Sequence, residues 1–176
     1  MRIVAALGVC AVTATAFLKG DDPSGTVPPT PELARAAFAR FQALDGQWIG
    51  KSTKGWEETL QYRTIAGGST VLETSFNAHP GQEMATTFYL DGDRLMATHY
   101  CVAKNAPRLE ATAFGDGGRR VVFTFVDGAN IPNRDRGHMD KAVFRFDGND
   151  RVVSRWTWYQ DGKEKWFEEI VQTRVP

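Results

Sequence analysis

From Gly46-Gln47-Trp48 to Arg174 the chain alternates apolar or aromatic residues with polar ones, in segments of roughly eight to eleven residues separated by Gly- and Asp-rich turns. A period of two puts every second side chain on one face of an extended strand, so each segment has a face to bury and a face to wet. Ten such segments are read: 47–53, 56–66, 69–78, 82–91, 94–102, 107–115, 119–127, 138–147, 150–160 and 163–175. Most links are tight, among them Gly67-Gly68, Asp91-Gly92-Asp93, Gly115–Gly118, Asp147–Asp150 and Asp161-Gly162. Tight links join antiparallel neighbours, whereas parallel neighbours need crossovers of about a dozen residues or more. A meander of this size buries its apolar faces and loses its edges by closing on itself. The expected fold is all-β: an antiparallel meander of about ten strands closed into a barrel over 46–176, with one short N-terminal helix.

The residues before the barrel divide into three pieces. Residues 1–16 read as a secretory signal peptide, with Arg2 ahead of an apolar run and Ala14-Thr15-Ala16 at the cleavage position. The run Ile3–Leu18 is 16 residues at most, short of the roughly 20 needed to cross a bilayer as a helix. Residues 17–30, rich in Gly, Asp and Pro, read as a flexible tether. Residues 31–45 hold the helix: Thr30 is the capping hydroxyl, Pro31 the first helical position, and Leu33, Ala37, Phe41 and Leu44 fall at helical spacing. The expected location is therefore secreted or periplasmic, with no stable membrane span in the mature chain.

Cleavage removes Arg2 and no acid, so the mature net charge is near −1. No basic patch supports a nucleic-acid partner. Cys101 is left as the single cysteine, which excludes an internal disulfide in the oxidising compartment that the signal implies.

Two hairpins assign faces. Pairing Leu90 with Leu95 sets Phe88 against Ala97, Thr86 against His99 and Met84 against Cys101, and the apolar character of this set places it inside. A two-residue Asp161-Gly162 turn pairs Trp158 with Lys165, Trp156 with Phe167, Ser154 with Glu169 and Val152 with Val171. It sends Arg155 and Glu168 outward as an ion pair. Strand 138–147 presents Ala142, Phe144 and Phe146; whether they join the Trp156 side depends on a turn at 147–150 whose register the pattern leaves open. The long polar link Asp127–Gly137 is the candidate lid or mouth segment, or a solvated excursion.

The chemistry-bearing residues are few. His99 and Cys101 share a strand face, but His79 and His138 are remote in the pattern, and zinc requires three or four ligands; no metal and no cofactor is expected. A thiolate mechanism on Cys101, His99 and Glu169 lacks any oxyanion-hole signature. Glu57-Glu58 and Glu168-Glu169 are adjacent acids on alternate faces, not the facing pair that sugar hydrolysis needs. What remains is an apolar interior with a few convergent polar groups, the composition of a small-ligand site. The candidate ligand-binding residues are Thr86, Phe88, His99, Cys101, Phe144, Ser154, Trp156, Trp158 and Glu169, with Phe167 also facing inward.

Gly46, Gln47 and Trp48 resemble the Gly-x-Trp of lipocalins, within the calycin superfamily that also holds the fatty-acid-binding proteins. The resemblance implies that Trp48 plugs one barrel end and that a late arginine, here Arg174, stacks on it as a structural barrel base. Ten strands rather than eight, and no helix after the barrel, depart from lipocalins. The strand count is similar to nitrobindin-type haem barrels, but no histidine follows His138 to serve as their late haem ligand. Gly67-Gly68, Thr98-His99-Tyr100-Cys101, Asn105-Ala106-Pro107-Arg108, His138-Met139 and Asp161-Gly162-Lys163 resemble a family of secreted bacterial proteins of unknown function. The expectation is an exported barrel that holds a small apolar or amphipathic molecule. Its alternatives are a barrel enzyme using His99 as acid or base, and an envelope interaction module with a filled barrel.

Overall fold

The computed structural model describes residues 25–76, 79 and 81–176. The signal-peptide reading and most of the tether fall on residues 1–24, outside the described residues. Within the stretch expected as tether, Thr26–Val27 forms a short strand, β1, followed by helix α1 (Pro31–Gln42). The barrel strands are β2 (Gly46–Ser52), β3 (Glu57–Ile65), β4 (Thr70–Phe76), β5 (Met84–Asp91), β6 (Arg94–Tyr100) and β7 (Ala106–Gly115). They continue as β8 (Arg120–Ala129), β9 (His138–Phe146), β10 (Arg151–Gln160) and β11 (Lys163–Arg174). Each pairs antiparallel with the next, β11 returns to β2, and β7–β8 completes the ring. The result is the closed ten-stranded antiparallel barrel expected, with β1 added along β7.

Helix α1 closes one end. Thr30 Oγ1 accepts from Leu33 N at 3.3 Å, and Pro31 takes the first helical position, as the capping pattern requires. Four helical residues are buried: Ala34, Ala37, Phe38 and Phe41. Phe41 enters the barrel, stacked on Phe88 at 4.0 Å and edge-on to Phe144 and Phe146 at 5.2 and 5.0 Å. The helix is held beneath the turns at this end: Gln42 donates to Gly68 O at 2.9 Å, and Arg35 pairs with Asp93 at 3.1 Å. This half of the barrel is packed solid with aromatic rings.

The β5–β6 hairpin has the expected register, with Leu90 on Leu95, Phe88 on Ala97 and Thr86 on His99. The open turn at 147–150 resolves toward the Trp156 side: Phe146, Phe144 and Ala142 face Val152, Ser154 and Trp156. The β10–β11 register is different from that expected. Gln160 pairs with Lys163 across the Asp161-Gly162 turn, but the register then shifts and Lys165 has no partner on β10. One extra residue in one strand turns everything beyond it onto the other face. Trp158 therefore pairs with Trp166, Trp156 with Glu168, Ser154 with Ile170 and Val152 with Gln172. Glu169 now lies opposite Arg155 on the outer wall, and Phe167 is 46% exposed with the Arg155 guanidinium 3.8 Å from its ring centroid.

Candidate functional site

The barrel end opposite α1 is hollow. A cavity of about 560 Å³ opens there, walled by Trp56, Trp156, Trp158, Trp166, Met84 and Met139. The volume lies within the range of small-molecule sites, about 300–1,000 Å³. Its mouth is formed by connections between strands: Lys54 from the β2–β3 turn, His79 from the β4–β5 link, and Val102 and Ala103 from the β6–β7 turn. The long link after β8, expected as lid or mouth, is pinned beside the opening by the Arg134–Asp140 ion pair at 2.7 Å and by the bond from Asn105 Nδ2 to Gly137 O at 2.8 Å. His138 is fully buried, its Nδ1 2.5 Å from Arg136 O and its ring 4.2 Å from that of Phe125.

A polar row crosses the inner wall. Tyr62, Glu73, Thr86 and His99 are successive cross-strand partners on β3, β4, β5 and β6. His99 Nδ1 lies 3.0 Å from Thr86 Oγ1, and its ring lies 4.9 Å from that of Trp156. His99 Nε2 has no hydrogen-bond partner although the residue is 6% exposed and lines the cavity. Burial lowers the imidazole pKa to about 4, so the ring is neutral at ordinary pH. Burial also raises the Cys101 thiol.

The cavity floor carries three carboxyl groups, Glu58, Glu73 and Glu168; the sequence pattern did not place Glu58 or Glu73 there and sent Glu168 outward with Arg155, a reading that the β11 shift corrects. Glu58 accepts from the Ser75 hydroxyl and Glu168 from the Ser52 hydroxyl. Glu58 reaches the floor because Gly50, its partner on β2, has no side chain: a Cβ there would lie 3.0 Å from Glu58 Cγ and 2.9 Å from Ile170 Cγ2. Burial, augmented by the charge of Glu168 and opposed by the Ser75 bond, raises Glu58 to about 7. Burial and the charge of Glu58, opposed by the Tyr62 hydroxyl, raise Glu73 to about 8. Glu73 Oε2 is buried without a hydrogen-bond partner. Behind the floor Tyr62 donates to Gln172 Oε1 at 2.7 Å, and Gln172 donates to Ser154 Oγ at 3.2 Å.

Of the residues expected to bind a ligand, Thr86, His99, Cys101, Trp156 and Trp158 line the cavity. Phe88 and Phe144 face inward but belong to the packed aromatic half, and Ser154 is consumed in the Gln172 bond. Glu169 is corrected to the outer wall, with Glu168 in its place, for the reason of the Lys165 shift. Alternation alone held the signal for the others: Glu58 shares a face with Leu60 and Tyr62, and Glu73 with Val71, so each is an acid on a buried strand face.

No family model matches the chain, and no curated protein matches it. Among solved structures it is similar to a protein of unknown function from the DUF3598 family of Nostoc punctiforme, at 10% sequence identity and a TM-score of 0.48. The match covers 89% of this chain and 53% of that one, so the chain spans about half the length of that protein.

Proposed function

We propose that the protein is an exported small-ligand-binding barrel that holds an amphipathic molecule in the hollow half, away from α1. One observation carries this reading: a barrel packed solid with phenylalanine at one end keeps a cavity of about 560 Å³ at the other, walled by indoles and floored by polar groups. A well-formed apolar pocket with a few convergent polar atoms is what small-molecule recognition uses. Export rests on the leader-like residues 1–16 and on nothing else. Acid–base catalysis by His99 has less support, because its one bonded partner is the Thr86 hydroxyl, not an ionisable group. The test is native mass spectrometry of the protein purified from the organism that makes it. A retained small molecule, one per chain and released on denaturation, supports the proposal; the bare chain mass under gentle ionisation opposes it.

A further inference from the structure

The geometry points to an organic cation as the occupant: a protonated amine whose ammonium head lies over Glu58, Glu73 and Glu168 and whose apolar body lies between the tryptophans. This inference rests on the small-ligand reading above and specifies its chemistry.

Three carboxyl groups on the floor of one cavity demand a counter-charge or a set of donors. The influences on Glu58 are burial, Ser75 and Glu168, and those on Glu73 are burial, Glu58 and Tyr62; no basic side chain is among them. The one lysine on the lining, Lys54, sits at the rim with its Nζ 5.7 Å above the Trp166 ring. It shows how a cation seats on this wall, but not on the floor. Other titratable groups facing the cavity are His79, His99 and Cys101. Two buried polar atoms of residues on the cavity lining, Glu73 Oε2 and His99 Nε2, lack partners. An ammonium has three N–H donors and no acceptor, the complement of a carboxylate oxygen and of His99 Nε2 in the tautomer whose Nδ1–H donates to Thr86. Indole faces are the best of the aromatic seats for positive charge.

Other ligand classes fit less well. A fatty-acid anion would place a fourth carboxylate on this floor. A divalent metal is disfavoured because it needs several oxygens together within about 2.0–2.6 Å, and among the described residues no three His, Cys, Asp or Glu side chains are placed to form such a set, whereas an ammonium need only lie among the three glutamates. A neutral amphiphile would leave Glu58 and Glu73 holding their own protons and would gain no charge attraction from the floor.

Decylamine, decanol and decanoate share one apolar body and differ in charge, and tryptophan emission reports on the cavity because four of the five tryptophans line it. The expected result at pH 7.5 is that decylamine binds at least ten-fold more tightly than either of the others. Glu58→Gln and Glu168→Gln, both near-isosteric, should bring the decylamine-to-decanol ratio toward one, while the outer-wall control Glu169→Gln leaves it unchanged. Should a floor variant melt early, calorimetry of the unmutated protein decides: decylamine binding should release protons near pH 7, read from buffers of different ionisation enthalpy. Equal binding of all three, or tightest binding of decanoate, overturns the cation inference and leaves the small-ligand reading standing. If none of the three binds while neutral N-phenyl-1-naphthylamine does, the cation inference again falls alone. If that probe also fails, both fall.

Discussion

Arg174 and Trp48 are direct cross-strand partners on β11 and β2, and the guanidinium carbon lies 4.5 Å from the indole centroid. The same guanidinium donates to Ala43 O at 2.7 Å and Asp45 O at 2.6 Å, carbonyls that follow the end of α1, and to Asn149 O at 3.1 Å. Trp48 Nε1 donates to Leu44 O at 2.8 Å. One arginine therefore joins the helix terminus, β2, β11 and the β9–β10 turn. A cation is favourable beside the negative end of a helix. Gly46, at φ +132, makes room for it, since a Cβ there would lie 3.0 Å from Arg174 Nη1.

Arg174→Ala removes the cation–π contact, worth about 0.5–2 kcal/mol, and several charge-assisted hydrogen bonds. The expected loss is about 3 kcal/mol in urea denaturation. Arg174→Lys should recover less than half of it, because an ammonium cannot fork to separate carbonyls. A loss below about 0.5 kcal/mol for the alanine variant would show that the arginine is dispensable at this end.

Phe41 is the plug. It is fully buried among Phe88, Phe123, Phe144 and Phe146. Phe41→Ala should cost about 3–5 kcal/mol, the range for a buried phenylalanine cut to alanine. Ligand binding at the far end should survive in the folded fraction. Calorimetric melting with and without a bound probe separates the two effects.

Stability should fall as pH rises toward about 8, because two buried acids act against one buried histidine. Glu73 and Glu58 keep their protons in the folded chain to about 8 and about 7, against 4.5 for an ordinary glutamate. Between those values the folded state binds more protons than the unfolded, so stability falls as pH rises. His99 acts oppositely: its folded value near 4 lies below 6.5, so its contribution is complete above 6.5 and is lost as pH falls toward 4. Above 6.5 only the carboxyls of this set act. From pH 6.5 to 8.5 the ligand-free protein should lose on the order of 2 kcal/mol, and Glu73→Gln should remove most of that loss. A flat profile in the unmutated protein would contradict the buried-acid description of the floor.

Most of the architecture was legible because it depends on period and turn spacing. The ten strands, the capped helix, the Trp48–Arg174 base and the Thr86–His99 pair all follow from alternation, tight links or the Gly-x-Trp resemblance. The β11 face was not legible. Its turn is the expected one, with Asp161 and Gly162 at φ 50 and 75, but the unpaired Lys165 lies beyond it and carries no local signature. That one residue exchanged Glu169 for Glu168 and put Phe167 outside. The floor acids were missed for another reason. Adjacent acids on alternate faces do not pair with each other, yet one member of each pair faces inward. Bringing Glu58 and Glu168 to one floor requires β11 to return beside β2 in one register, and although closure was expected, no local pattern fixes that register.

The most direct measurement is a titration with N-phenyl-1-naphthylamine, a neutral apolar fluorophore, into the protein and into Met84→Trp, which fills the cavity from its wall. A hollow, ligand-competent barrel end should give saturable binding at one site per chain, with probe emission excited through the cavity tryptophans, and lose it in Met84→Trp at unchanged melting temperature. Absence of saturable binding, or binding that Met84→Trp leaves intact, would contradict it.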